Sequence, residues 1–391
     1  MISALHLEES DGNDVKHPEL PHVLLVLDQF AKTLGGGERI VLKLAALLPQ
    51  YGYRVSILTF SADPESAGLQ SPPCSVYLLP LQRTYDLTAL RGSLELRKFL
   101  REQRIRIVQT FFESSDLWAG FVTKAMSSAK LIWSRRDMGI LRTGKHHAAY
   151  RLMASAPDHV FAVSEQVRRH CIDVDGIKAS RVQTIYNGLD LADWNSISQA
   201  AKYDGEALVT TVGNIRRVKG HDVFIRAAAS VAAQFPKASF SIAGDVLEPD
   251  YFAELQALIR DLKLSDRFRF AGGVKNLREH LSAASVFVLP SRSEGFSNAI
   301  VEAMAASLPV VATNVGGNAE AVQDGVSGVI VPPEDPDALA AAIVQLLSDP
   351  AKAKQMGAEG KKLAAEKFTT EAMMAQITSV YASLLRGEHS A

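Results

Sequence analysis

A run of five apolar residues, Val23-Leu24-Leu25-Val26-Leu27, is what most constrains this chain. Its length and Val/Leu content suit a strand buried on both faces, as in a parallel sheet. A loop from Asp28 to Gly37 follows. Glu38–Leu48 then reads as a helix, stopped by Pro49 and Gly52. A second strand, Arg54–Phe60, completes a βαβ unit. Strands are expected again at Ile105–Thr110, Ala129–Ser134 and His159–Val163, with a helix over Leu117–Met126. Repeated alternation of this kind means a parallel sheet with helices on both faces.

Around Trp194 to Gly205 the pattern dissolves into small and polar residues, which marks a domain boundary. It then restarts. Strands are expected at Leu208–Val212, Ser239–Ala243, Phe268–Phe270, Val286–Leu289, Pro309–Thr313 and Val329–Val331. Helices fall at Asp222–Gln234, Tyr251–Leu262, Leu277–Ala284 and Asn298–Ala306. The fold class is therefore α/β, with two doubly wound domains over 21–198 and 206–367. A loose tail over 1–20 precedes them. The segment 368–391 holds a last helix, Thr370–Leu385, which comes after the second pattern is complete.

Composition agrees with two or three domains for 391 residues. Lysine plus arginine is 42 and aspartate plus glutamate 43, a net charge of −1. That balance argues against a dedicated nucleic-acid binder. Cys74 and Cys171 cannot by themselves build a disulfide framework or a zinc site, and they suit a reducing compartment. No stretch approaches the ~20 apolar residues of a membrane span. The polar, acidic start lacks the order of a signal peptide.

Several loops could carry chemistry. Gly35-Gly36-Gly37 lies between the first strand and its helix, where bare backbone and a helix N-terminus favour an anion. It does not fit G-x-G-x-x-G, which disfavours a dehydrogenase. Gly213 to Gly220 brackets Arg216, Arg217 and Lys219 at the end of a strand, where open α/β sheets bind ligands. A pair such as Arg216 and Lys219 could grip a diphosphate. A solvated basic turn is the plainer alternative.

In Ser293 to Ala305, Ser297 is a candidate N-cap, with Glu294 in the loop and Glu302 in the helix. The amides of Phe296, Ser297 and Asn298, next to Gly295, would face an anion. Glu294 suits sugar hydroxyls better than phosphate. Val315-Gly316-Gly317-Asn318-Ala319-Glu320 is a further glycine turn. Gly139 to Lys145 mimics a P-loop but places His146 where a hydroxyl must reach magnesium. With Arg135, Arg136 and His147 it reads as a basic ligand-facing surface or a solvated loop. The basic amphipathic helix near Leu87–Gln103 could lie on anionic lipid or be an ordinary outer face.

In order and spacing these segments resemble the retaining family-4 glycosyltransferases of GT-B fold. GGGER comes early and Ile185-Tyr186-Asn187-Gly188-Leu189-Asp190 precedes the linker. VGNIRRVKG, SEGFSNAIVEAMA, GGNAE and Asp324-Gly325-Val326-Ser327-Gly328 follow. The most specific element is the E-x7-E spacing of Glu294 and Glu302. The resemblance implies two Rossmann-like domains facing a central cleft, the N-terminal one taking the acceptor and the C-terminal one the sugar nucleotide. It also implies that the last helix crosses back to the N-terminal domain.

By the same resemblance, the catalytic set is Glu294, Arg216 and Lys219. Arg216 or Arg217, with Lys219, would clamp the diphosphate. Glu294 would contact the donor sugar and Glu302 the ribose. Gly35, Gly36 and Gly213 would approach the phosphates, with the backbone of Gly295, Phe296, Ser297 and Asn298. Val274 and Lys275 would meet the base. No metal and no separate cofactor are implied.

Two positions depart from the pattern. Asn214 stands where many members have arginine, and Phe111 where many have histidine. Glu113 or Asp116 could replace the histidine, and Arg135 and Arg136 complete the acceptor-side candidates. The expectation is a metal-independent hexosyltransferase using a nucleotide-diphosphate sugar, a UDP-sugar foremost. Its acceptor would be a glycan or lipid-linked glycan, as in bacterial surface polysaccharide or lipopolysaccharide synthesis. The expected place is the cytoplasm, with peripheral contact to the inner face of an anionic membrane, and no nucleic-acid partner. A sugar-nucleotide epimerase and a non-catalytic sugar-nucleotide binder are the alternatives.

Overall fold

The computed structural model describes residues 2–6, 20–81, 86–139, 142–194, 206–274 and 276–387. The chain divides into two compact units. One comprises residues up to Ile185 together with those from Met374 on. The other is Tyr186–Met373.

The first unit is built on strands β1 (Ser3–His6), β2 (His22–Phe30), β3 (Arg54–Ala62), β4 (Ser75–Leu78), β5 (Ile105–Thr110), β6 (Lys130–Arg135), β7 (His159–Ala162) and β8 (Val182–Thr184). They form one sheet in the order β1-β4-β3-β2-β5-β6-β7-β8. All pairings are parallel except β1 with β4. Val23 to Leu27 are fully buried, as a strand covered on both faces requires.

The second unit holds β9 (Leu208–Val212), β10 (Ser239–Ala243), β11 (Phe268–Gly272), β12 (Val286–Leu289), β13 (Val310–Thr313) and β14 (Gly328–Val331). Their order is β11-β10-β9-β12-β13-β14, and all pairings are parallel. Phe224, Phe240, Val286 and Ile343 lie at the centre of its core.

Three expectations need correcting. The first 20 residues are not wholly a loose tail, because Ser3–His6 pairs antiparallel with β4. An edge strand recruits a neighbour through unpaired backbone groups, which needs no apolar pattern. Residues 7–19 lie outside the described residues. The division also falls after Ile185 rather than near residue 198, so the Tyr186–Asp190 segment belongs to the second unit. Local contacts explain this: Leu189 pairs by its backbone with Phe368 and Thr370. Finally, the helix expected from Leu117 starts as a π-helical turn, Ser115–Ala119, and becomes α-helical only at Gly120–Met126.

The last helix, Thr370–Arg386, contributes its later turns to the first unit. Tyr381 is fully buried there, edge-on to Tyr53 at 5.4 Å and stacked on Phe161 at 6.4 Å. Its hydroxyl donates to Gln109 Oε1.

Candidate functional site

Each sheet has a switch point, where the chain leaves the centre toward one edge and returns to build the other. Loops at such a point, past the carboxyl ends of the strands, are where open α/β sheets hold ligands. The switch lies between β2 and β5 in the first unit and between β9 and β12 in the second.

In the first unit the two loops interlock. Asp28, within β2, accepts the Ser114 and Ser115 amides at 3.0 and 2.7 Å. Burial raises its carboxyl pKa, and those amide bonds oppose the rise. A Cβ on Gly37 would lie 2.5 Å from Phe112 Cζ, so a larger residue there must push the Phe112 ring aside. Gly36 differs, because nothing lies within 4 Å of where its Cβ would be. Gly35 sits against Glu38, whose Oε2 would be 2.7 Å from a Cβ. Burial raises the Glu38 carboxyl pKa, while hydrogen bonds from its own amide and that of Gly35 hold it down. The start of the helix Gly36–Leu47 is thus covered by its own carboxylate.

Among the acceptor-side candidates, Asp116 is internal. Its side chain is 2% exposed, and it accepts bonds from the Thr110 hydroxyl and from Tyr150 Oη at 3.0 Å. Burial pushes its pKa up to about 7, against the pull of Arg135. Arg135 is internal too, bonded to Asp175 at 3.0 Å and 3.9 Å from Asp116. Glu113 keeps 32% of its side chain exposed, bonded to Arg142 Nε at 2.8 Å with His146 at 3.7 Å. Arg136 is half-buried. Asp175 and Arg142 were not singled out by the sequence. Arg142 bonds Asp175 at 2.9 Å and lies over the Tyr150 ring at 3.6 Å. Nothing local connects Arg135 with a carboxylate 40 residues later.

In the second unit, β9 leads through Gly213 to the 3-10 turn Arg217–Lys219 and then to the helix His221–Gln234. β12 leads to the loop 290–297 and the helix Asn298–Ala305. The structure brings Lys219 and Glu294 together: Lys219 Nζ is 2.7 Å from Glu294 Oε1, and the Ser291 hydroxyl donates to the same oxygen at 2.7 Å. Gly213 lies beside the Lys219 side chain, 3.6 Å from Cδ for an added Cβ. The two arginines diverge. Arg217 pairs with Glu254 and lies 4.9 Å above the Tyr251 ring. Arg216 makes a long contact to Glu248, at 3.5 Å.

The glycine turn at 316–317 packs on the same loop. Gly317 N–H donates to the Gly295 carbonyl at 3.0 Å. A Cβ on Gly316, whose φ is 52°, would lie 1.7 Å from the Glu294 carbonyl oxygen. The Phe296 side chain turns inward onto Tyr186 and Phe368, at 5.2 and 5.3 Å. Ser297 occupies the N-cap position but makes no capping bond with its side chain. Asn298 Oδ1 accepts from Asn187 Nδ2 at 2.6 Å. Glu302 is half-buried on the helix. Val274 follows β11 and is half-buried, and Lys275 lies outside the described residues. Among the described residues, no helix is long and apolar enough to cross a membrane.

The solved structures this chain resembles have the GT-B fold, which defines its class. Anabaena Alr3699/HepE, solved in complex with UDP, is 22% identical, with a TM-score of 0.80 over 93% of this chain and 100% of that one. Sucrose-phosphate synthase from Thermosynechococcus elongatus is 24% identical, with a TM-score of 0.80 over 94% of this chain and 100% of that one. Two family models match end to end: Glycosyltransferase Family 4 over residues 34–193 and Glycosyl transferases group 1 over 193–363. The chain belongs to this glycosyltransferase family.

Curated relatives include the lipopolysaccharide core biosynthesis mannosyltransferase LpcC of Rhizobium leguminosarum bv. viciae, 33% identical over 53% of this chain and 61% of that protein. The N-acetyl-alpha-D-glucosaminyl L-malate synthase of Bacillus anthracis is 29% identical over 53% of this chain and 55% of that protein. The chain thus spans little more than half the length of these relatives.

Proposed function

We propose that this chain transfers a hexosyl group from a nucleoside-diphosphate sugar, with UDP the expected nucleotide, to a glycan or lipid-linked acceptor. The observation that carries the reading is the Lys219–Glu294 pair at the β9/β12 switch point. It sets a cation for phosphate beside a carboxylate for sugar hydroxyls. In this reading Lys219 and Arg216 neutralise the diphosphate as the bond from the anomeric carbon to its oxygen breaks. Fixed charge of this kind is commonly the largest contribution to catalysis. Arg217 is turned toward Glu254, so Arg216 is assigned the second cation.

Glu294 orients the donor sugar and Glu302 the ribose hydroxyls. Gly213, Gly295 and the amides of Phe296, Ser297 and Asn298 face the phosphates, with Val274 near the base. Glu113, held by Arg142, and Arg136 are the acceptor-side groups, while Asp116 and Arg135 are internal. The acceptor oxygen bonds to the anomeric carbon on the face the diphosphate leaves, which retains configuration. Its proton passes to the departing phosphate oxygen. The protein cations supply the charge neutralisation, without a metal.

The UDP bound to HepE and the sugar transfer named for LpcC support a nucleotide-sugar donor. The mannosyltransferase LpcC supports a place in surface polysaccharide synthesis. Contact with an anionic membrane is supported by the helix Leu87–Glu102. It exposes Leu87, Leu90 and Leu94 by 76%, 62% and 55%, beside Arg91, Arg97, Lys98 and Arg101. Apolar residues flanked by cations favour such an interface. Salt-sensitive co-sedimentation with anionic vesicles, lost in a Leu90→Glu/Leu94→Glu variant, is the expected result.

The donor is tested by melting the protein with UDP, GDP or ADP. A true ligand at ~100 times its Kd adds roughly 2.7 kcal/mol of stability. Lys219→Ala and Glu302→Gln are expected to lower sugar transfer at least tenfold, to about a tenth or less, with the fold intact. Transfer at the native rate in both variants refutes the site. Conversion of the donor alone into an epimer would make the protein an epimerase.

A further inference from the structure

Arg292 lies past β12 and carries no motif signal. Its main-chain N–H donates to the Val218 carbonyl at 2.8 Å, and its Nη1 donates to the Arg217 carbonyl at 2.6 Å. Both carbonyls belong to the turn Arg217–Lys219. The guanidinium is held in turn by two carboxylates. Nη1 and Nη2 donate to Asp222 Oδ1 and Oδ2, each at 2.8 Å. Glu334 accepts from Nη2 at 3.0 Å and pairs with Nε. These contacts engage all five N–H groups of the side chain, so none is left over for a ligand.

The same arginine therefore grips the turn and the first residues of the helix that follows it, since Asp222 opens His221–Gln234. Steric fit closes the joint. Gly220 has φ 64°, and a Cβ there would lie 2.0 Å from the Pro290 carbonyl oxygen. Glu294, which meets Lys219, sits two residues beyond Arg292 on the same loop.

Resting on the reading that Lys219 holds the donor diphosphate, we infer that Arg292 is a positioning residue. It fixes the 217–219 turn against the loop carrying Glu294 and so presets the Lys219 ammonium for phosphate. It acts through Lys219 and not by touching the donor.

The test is a double-mutant cycle on the full chain, read by calorimetric titration with UDP, with GDP and ADP in parallel. Lys219→Ala is expected to weaken UDP binding roughly 10- to 100-fold, the loss of one charge-assisted contact. Arg292→Ala is expected to weaken it about tenfold in the native background but by less than about twofold in the Lys219→Ala background. Arg292→Lys keeps the charge but has only three N–H donors. It is expected to show a smaller loss that also vanishes without Lys219, and it carries the comparison if Arg292→Ala does not fold.

Losses that multiply, or native UDP affinity in the Arg292 variants, overturn the inference and leave the diphosphate reading standing. Native affinity in Lys219→Ala, or no binding of any nucleoside diphosphate by the native chain, overturns both.

Discussion

The Asp222 carboxylate receives two bonds from Arg292 and one from Tyr251. Burial alone would raise its pKa, but the Arg292 and Tyr251 bonds prevail and hold it near about 2. A carboxyl depressed on folding adds stability that is present above its unfolded pKa and lost as pH falls toward the folded value. Asp222→Asn should therefore be less stable than the native chain at pH 6, by roughly 2 kcal/mol. Urea unfolding at pH 6, 4 and 3 should show that gap narrowing with acid, and a constant gap would refute the assignment. Lys219, Glu294 and Glu302 stand in segments that glycine and charge single out in the sequence. The closure of Lys219 on Glu294 was not legible there, since 75 residues separate them. Arg292 and Arg142 were invisible for the same reason: their partners are supplied by the folded chain and not by their sequence neighbours.

At the scale of elements, Tyr381 shows what the last helix does for the first unit. Tyr381→Ala removes the ring packed on Tyr53 and Phe161, and the expected cost is about 3–5 kcal/mol. Tyr381→Phe keeps the ring and takes the hydroxyl from Gln109 Oε1, at a cost of about 1 kcal/mol. Thermal or urea unfolding of the two variants distinguishes ring from hydroxyl, and equal losses would refute this division. The central strands were readable from their apolar runs, because both faces of a parallel sheet are covered. The edge strands β1 and β8 of the first sheet, and β4 beside β1, were not. Backbone pairing at an edge tolerates residues such as Ser3, His6 and Gln183. The π-helical turn at Ser115–Ala119 also eluded the helical pattern, since side-chain periodicity does not report one extra residue per turn.

Across the whole molecule, the two units should respond differently to acid. In the second unit, burial lowers His221 to about 4 and also lowers His280. A histidine lowered on folding binds its proton in the unfolded state, so stability falls as pH drops below about 6.5. In the first unit His22 and His159 behave alike, each at about 4, and burial lowers His170 as well. There, however, burial raises Asp28, Glu38, Glu113 and Asp116, and carboxyls raised on folding gain stability as pH falls. Hydrogen exchange, corrected for intrinsic rates, should show β9–β13 losing protection between pH 7 and pH 5 more than β2–β6. Equal losses would refute the contrast.

The order of the second sheet has a consequence for how such a chain can change. Lys219 and Glu294 leave adjacent strands, so the sheet spacing of about 4.8 Å, and not the length of chain between them, sets their separation. The far edge of the excursion, where Lys263 turns the chain ahead of β11, can lengthen or shorten at little cost to that pair. In the proposed reading, the grip on phosphate at the hub is then insulated from changes at the sheet's periphery.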